Sequence, residues 1–344
     1  MRKAEISILN VLFCLMVIFI HVTSYPITSL SPHSISVKYL FFLQKLCGVA
    51  VYGFIFLSGL KLFLNKNKKI NLPKYYISRI RKIFIPYLLI TVLYYLYEVE
   101  RGYFVFNLKE LLTFFINGNV ECHLYFVVII MQFYILFPLW KKLLEKRALL
   151  VLLATFFLNV VFVCYMPQML KMIGVQGFSY NDRIFTSYLF FWLFGCFCGK
   201  YYDNFKAAIK KYCFIFSLMF ALFFALDVWL SYSSFSGIFM CRWTEFVHLL
   251  YCTFAILFLY YSAEYFSKFN FTKNKLLIMI DNASYEIYLI HILFVHIIND
   301  LIAKAQGIGV LKAYAIRFVF VYLVSISTCI IYKKLTEYLS KNKK

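Results

Sequence analysis

Residues 6–25 read ISILNVLFCLMVIFIHVTSY, an uncharged run of mostly aliphatic and aromatic side chains that ends with a histidine among hydroxyls. At about 1.5 Å of rise per residue, a helix of that length spans the roughly 30 Å hydrocarbon core of a bilayer. Arg2 and Lys3 precede the run as they would in a secretory signal, but no small-x-small cleavage site follows it. Nine further apolar runs do follow, so the segment is read as a retained membrane helix.

Composition supports the same solvent. The chain of 344 residues is 63% hydrophobic, 22% aromatic and 15% charged, with a mean hydropathy of +0.77, which excludes an ordinary soluble domain of this length. The ten spans expected are 6–25, 40–64, 80–98, 122–140, 148–166, 185–202, 212–230, 243–262, 277–299 and 313–332. The fold class is therefore all-α: a polytopic membrane helix bundle of about ten transmembrane helices forming one domain over 1–344.

The net charge of +21 would point to nucleic acid in a soluble protein. Its distribution points elsewhere. With both termini cytoplasmic, 26 of the 36 Lys and Arg fall in inner segments, including Lys66, Lys68, Lys69 and Lys273. That bias follows the positive-inside rule and accounts for the charge by topology, with membrane lipids as the first partners and no nucleic acid. The ten cysteines lie mostly within expected spans and read as small packing residues; Cys196-x-Cys198 lacks a second pair, and no metal is expected.

Polar residues inside spans carry the functional reading, because an ionisable side chain there faces the bundle interior or a partner. Eleven residues at 100° each make 1100°, so Asn10, Cys14, Val17 and His21 share one helix face, with Asn10 about 16 Å deeper than His21. Glu245, His248 and Cys252 recur at helical spacing on another span, as do Asn282 and Glu286. His291 and His296 point in different directions, and Glu121 with His123 flank the outer start of the fourth span. Each of these also has a bland reading as an interhelical hydrogen bond. Arg79, Arg81 and Lys82 open an apolar helix that continues through Pro86, and guanidinium forks clustered at a membrane mouth suit phosphates.

Four blocks together carry a family likeness: LNVLFCLMVIFIHVTSY (9–25), YGFIFLSGLKLF (52–63), SRIRKIFIPYLL (78–89) with HLYFVVIIMQFYILFPLW (123–140), and SYEIYLIH (284–291). In that order they resemble acyltransferase family 3 of integral membrane O-acyltransferases. The likeness is greatest to the branch near the enterobacterial-type O-acetyltransferases and the intercellular-adhesin membrane protein of poly-N-acetylglucosamine synthesis. The resemblance implies a bundle of about ten helices in a bacterial cytoplasmic membrane. It would move an acyl group from cytoplasmic acyl-CoA, acetyl-CoA first, to a hydroxyl of an extracytoplasmic or lipid-linked glycan, alongside polysaccharide biosynthesis proteins.

The family's first-helix motif is an arginine, ten intervening residues and a catalytic histidine. His21 matches the histidine, and Asn10 stands in the arginine's place. Arg79 and Arg81, with Lys82 beside them, match the basic pair assigned to the CoA phosphates. As a neutral imidazole, His21 would accept the proton of the attacking hydroxyl. Asn10, Ser24, Tyr25 and Glu245 are the candidates to orient it or receive the oxyanion, and His248 is a further catalytic candidate. A competing reading makes the bundle a polysaccharide or lipid-linked sugar exporter, with His21, Glu245 and His248 lining a pore. A non-catalytic sensor or scaffold is a third.

Overall fold

The computed structural model describes residues 3–64, 71–175, 180–241, 243–269, 274–305 and 307–341. Lys66, Lys68, Lys69 and Lys273 of the expected inner loops lie outside the described residues, as do Arg2, Arg242, Lys343 and Lys344. The described elements are helical, with no strand among them. Eight helices or helix pairs are long and apolar enough to cross a membrane, and Tyr125–Ile135 is a shorter apolar helix. The chain is an all-α, multi-pass membrane protein.

Two compact units divide it, residues 1–54 with 206–344, and residues 55–205. The first unit holds α1 (Ala4–Ser29), α2 (Ile35–Cys47), α11 (Cys213–Phe235), α12 (Thr244–Phe266), α13 (Lys275–Lys304) and α14 (Val310–Lys341). The chain passes from one unit to the other inside α3 (Ala50–Phe63) and returns inside α10 (Tyr202–Lys211). The first helix is central to its unit, packing against α13, α14, α2 and α12. Val11, Cys14, Ile18 and Val22 meet Ile280, Ala283, Ile287 and Val295 of α13 and Val321 of α14 in one core. Local chemistry fixes several helix starts: the Ser34 hydroxyl accepts from the Val37 amide, and the Asn274 carbonyl oxygen accepts from the Leu276 amide.

The second unit contains α4 (Leu72–Arg79), a π-helical turn Ile80–Phe84, α5 (Ile85–Glu100), α6 (Leu108–Asn117), α7 (Tyr125–Ile135), α8 (Phe137–Met172) and α9 (Leu189–Lys200). Asn107 starts α6 by accepting from the Lys109 and Glu110 amides, and Gly118 ends it at φ +67°, where a side chain would be strained. Between α3 and α9 the backbones nearly touch. A Cβ on Gly195 would stand 2.0 Å from the Phe56 carbonyl oxygen, and one on Gly59 would stand 2.3 Å from that of Trp192. Gly195-x-x-x-Gly199 is thus the small-residue stripe that lets membrane helices approach closely.

Two of the ten expected spans are not membrane-length helices. Residues 122–140 form α7 and the start of α8, separated at Leu136, whose ψ of 5° is not helical. Pro138 has no amide hydrogen to continue the α7 ladder, so a new helix starts there. Residues 185–202 begin as the 3-10 turn Phe185–Tyr188, and only Leu189–Lys200 is α-helical. Asn159 of α8 pins that junction by donating to the Ser187 carbonyl at 2.9 Å and accepting from the Phe190 amide at 3.2 Å.

Candidate functional site

The polar line expected along α1 faces α13. At its deep end Asn10 donates to Asp281 Oδ1 at 2.8 Å and lies 2.7 Å from Ser284 Oγ, all three residues being buried. Ser284 Oγ lies 3.0 Å from the Asp281 carbonyl oxygen, and Cys14 Sγ lies 3.7 Å from the Ser284 carbonyl. The partner of Asn10 is therefore a carboxylate. Its neighbours Asn282 and Glu286, singled out by spacing, turn elsewhere: Asn282 is exposed and Glu286 pairs with Lys333.

Three turns along α1, His21 meets His291 of α13, with ring centroids 5.1 Å apart and planes inclined by 49°. His291 is fully buried, and its Nδ1 lies 2.8 Å from the Tyr288 carbonyl oxygen and 3.3 Å from that of Ile287. A carbonyl only accepts, so Nδ1 carries the hydrogen and the lone pair of the neutral ring sits on Nε2. Backbone geometry thus sets one tautomer of this imidazole, as a carbonyl accepting from one ring nitrogen does for histidines that handle protons. Beside the pair, Gln44 of α2 donates to the Ile20 carbonyl at 3.0 Å and to Thr23 Oγ1 at 3.2 Å, steadying the turn of α1 that bears His21. Ser24 and Tyr25 follow on the next turn; Ser24 Oγ donates to the Ile20 carbonyl at 2.7 Å.

A second constellation joins α2, α11 and α12. His248 Nδ1 lies 3.1 Å from Asp227 Oδ2, the same oxygen takes a 2.9 Å ion pair from Lys45, and Cys252 Sγ lies 3.5 Å from His248 Nε2. Tyr52 presents an edge to the His248 ring at 5.4 Å. The carboxylate that meets His248 is Asp227, fully buried, whereas Glu245 is exposed in the first turn of α12. An Asp–His–Cys line with a lysine on its carboxylate can hold a proton, but the ammonium neutralises the Asp and ties three helices together. The structure therefore separates His248 and Glu245, which spacing had placed in one interaction.

In the second unit, Arg79 closes α4 while Arg81 and Lys82 sit in the π-helical turn that precedes Pro86. π-helical turns are rare and often mark functional positions. The Arg79 guanidinium lies over the rings of Tyr75 at 5.1 Å and Tyr134 at 4.5 Å, while Arg81 and Lys82 are exposed. One cation is thus held on aromatic faces and two project outward. Glu121 and His123 are buried, the latter edge-on to Tyr94 at 5.7 Å, and the ligand-type atoms of Glu121, Cys122 and His123 fall within 4.8 Å of one another.

At one end of the first unit, outside the spans, Lys206 of α10 reaches Glu264 at 3.2 Å and Glu5 at 3.4 Å. Partial burial alone would lower the Lys206 ammonium, but the two carboxylates hold it above its ordinary value.

Sequence reasoning missed Asp281, Ser284, Asp227 and Lys45. The first two stood within three residues of positions it had marked. A lone aspartate inside the apolar run of α11 was the available signal for Asp227, since such a group must find a partner.

Comparison with known proteins agrees with this architecture. The family model described as "Acyltransferase domain", that of acyltransferase family 3, matches residues 3–334. The curated "Putative membrane-bound acyltransferase YfiQ" of Bacillus subtilis (strain 168) is 24% identical over 329 residues, covering 92% of this chain and 88% of that protein. No solved structure matches. With a match over nearly its whole length and a first helix that carries His21 into a buried polar seam, the chain belongs to acyltransferase family 3 and is an integral membrane acyltransferase.

Proposed function

We propose that this acyltransferase moves an acyl group, acetyl first, from cytoplasmic acyl-CoA to a hydroxyl of an extracytoplasmic or lipid-linked glycan. It would act in a bacterial cytoplasmic membrane with both termini inside, beside the proteins that build the polysaccharide. The observation that carries the reading is the His21–His291 pair, one imidazole of which has its tautomer set by the Tyr288 carbonyl.

His21 takes the proton of the acceptor hydroxyl as that oxygen attacks the thioester carbonyl. The C–O bond forms, the C–S bond breaks, and the proton held by the imidazole leaves with the departing thiol. A placed general base of this kind contributes about 10²- to 10⁴-fold. His291 positions His21 and offers Nε2 as a second proton acceptor. Arg79, Arg81 and Lys82 suit the anionic end of CoA: outward cations for phosphates and a guanidinium already laid on aromatic rings. Asn10 is assigned to the seam through Asp281 rather than to the reacting atoms, and His248 and Glu245 carry no step.

Membrane vesicles given isotope-labelled acetyl-CoA test the reading, with label sought in extracted glycan and lipid-linked sugar. Label in either fraction that depends on the protein supports it. Label in neither, with glycan export dependent on the protein, would overturn it in favour of transport.

A further inference from the structure

Arg317 of α14 is 2% exposed, yet no carboxylate pairs with it among the described residues. Its Nε donates to Asn299 Oδ1 of α13 at 2.7 Å, and its guanidinium lies 4.8 Å from the ring centroid of Tyr25 on α1. Its Nη1 has no hydrogen-bond partner among the described residues. An amide oxygen and a ring face carry partial charge only, whereas a buried guanidinium is ordinarily compensated by a full negative charge. Three helices thus converge on a buried guanidinium that meets an amide oxygen and a ring face, and no carboxylate among the described residues.

The position of this cation adds meaning. Tyr25 is one turn beyond His21 on α1, about 6 Å along the axis. The helices that supply Arg317, Asn299 and Tyr25 are the same α14, α13 and α1 whose seam holds the histidine pair. A planar guanidinium with its buried Nη1 still left to donate matches an oxyanion.

We infer that Arg317, with Asn299 and Tyr25, forms the subsite for an anionic oxygen group of the acceptor, a phosphate or carboxylate carried by the sugar to be acylated. The inference rests on the proposed glycan acceptor and narrows it to acidic or phosphate-linked sugars. Arg317 binds and orients beside Tyr25, the residue one turn beyond the base on α1, and takes no part in bond making.

The test is binding, read without acyl transfer. The full chain in phosphatidylcholine nanodiscs is titrated with octyl phosphate, octyl glucuronide and the neutral octyl glucoside below their micellar concentrations, with occupancy read by native mass spectrometry. One anionic probe should bind once per chain and at least tenfold tighter than the glucoside; phosphate or glucuronide winning identifies the group. Arg317→Gln should lose at least tenfold. Asn299→Asp places a carboxylate 2.7 Å from the guanidinium without removing the arginine, so it should abolish the preference while raising the thermal midpoint. Anionic probes bound no better than the glucoside, or bound unchanged by Asn299→Asp, would overturn the inference. So would loss of probe binding when phosphatidylglycerol replaces a third of the lipid, since the counter-ion would then be a headgroup. Anion binding with no acyl transfer would instead fault the proposed function and leave the subsite standing.

Discussion

Asn10 on the first helix donates to Asp281 of the thirteenth at 2.8 Å, so the position where the family resemblance implied an arginine is a neutral amide facing a buried carboxylate. The amide also lies 2.7 Å from Ser284 Oγ. Removing it takes one donor from a buried carboxylate.

Asn10→Ala should therefore destabilise the fold by about 1–3 kcal/mol, the cost of taking a hydrogen bond from a buried carboxylate. Asn10→Asp should be worse, because two carboxylates would then meet at hydrogen-bond distance. Thermal denaturation of the purified chain in a mild detergent checks the order. Equal midpoints for wild type and Asn10→Asp would contradict it.

Asp227 is held by Lys45 at 2.9 Å and by His248 at 3.1 Å. Deleting the acid leaves the partly buried Lys45 ammonium, 21% exposed, without its carboxylate, so Asp227→Ala should lose about 1–3 kcal/mol of stability. Combining Asp227→Leu with Lys45→Met removes both charges and should cost clearly less than Asp227→Ala alone. Denaturation midpoints of the two variants provide the comparison, and acyl transfer per folded molecule should stay close to wild type in the double variant.

Gly195 allows α9 to lie against the Phe56 carbonyl of α3, with no room for a methyl at 2.0 Å. Gly195→Ala should lower stability by about 1–3 kcal/mol through overpacking. Gly309→Ala, where a Cβ meets nothing within 4 Å, is the neutral control. The two variants in one melting series separate helix approach from a general intolerance of glycine replacement.

The Lys206 ammonium is held above its ordinary value of 10.5 by Glu5 and Glu264 against the opposing effect of partial burial. A base with a raised folded-state value binds its proton more tightly in the native protein. Its stabilisation is complete below the unfolded value, near 10.4, and is lost as pH rises through the folded one. Lys206→Met should therefore lower the melting midpoint at pH 7, and the gap from wild type should close above about pH 10.5. A gap that stays constant from pH 7 to pH 11 would mean that the charge contributes nothing.

The α1 line was legible in sequence because helical period alone relates Asn10 to His21, and the structure turns Asn10, Cys14 and His21 to α13. What α1 faces was not legible. Helices that are apolar nearly all round, such as α11 and α12, give little signal of which side meets which neighbour. Thus His248 was matched with Glu245, three residues away, when its acid is Asp227 on another helix. The breaks at Leu136 and Tyr188 escaped for a different reason. Hydropathy reports burial in lipid or protein alike, whereas Pro138 and the Asn159 clamp act on the backbone through single atoms.

The central claim is that His21 is the base for acyl transfer, supported by His291. Its direct test compares wild type, His21→Ala and His291→Gln in vesicles with labelled acetyl-CoA, at matched levels of folded protein. The account predicts a loss of about 10²-fold or more in label transfer for His21→Ala. It predicts a smaller loss for His291→Gln, which can still reach the Tyr288 carbonyl through its amide. Transfer by His21→Ala at the wild-type rate would contradict the account.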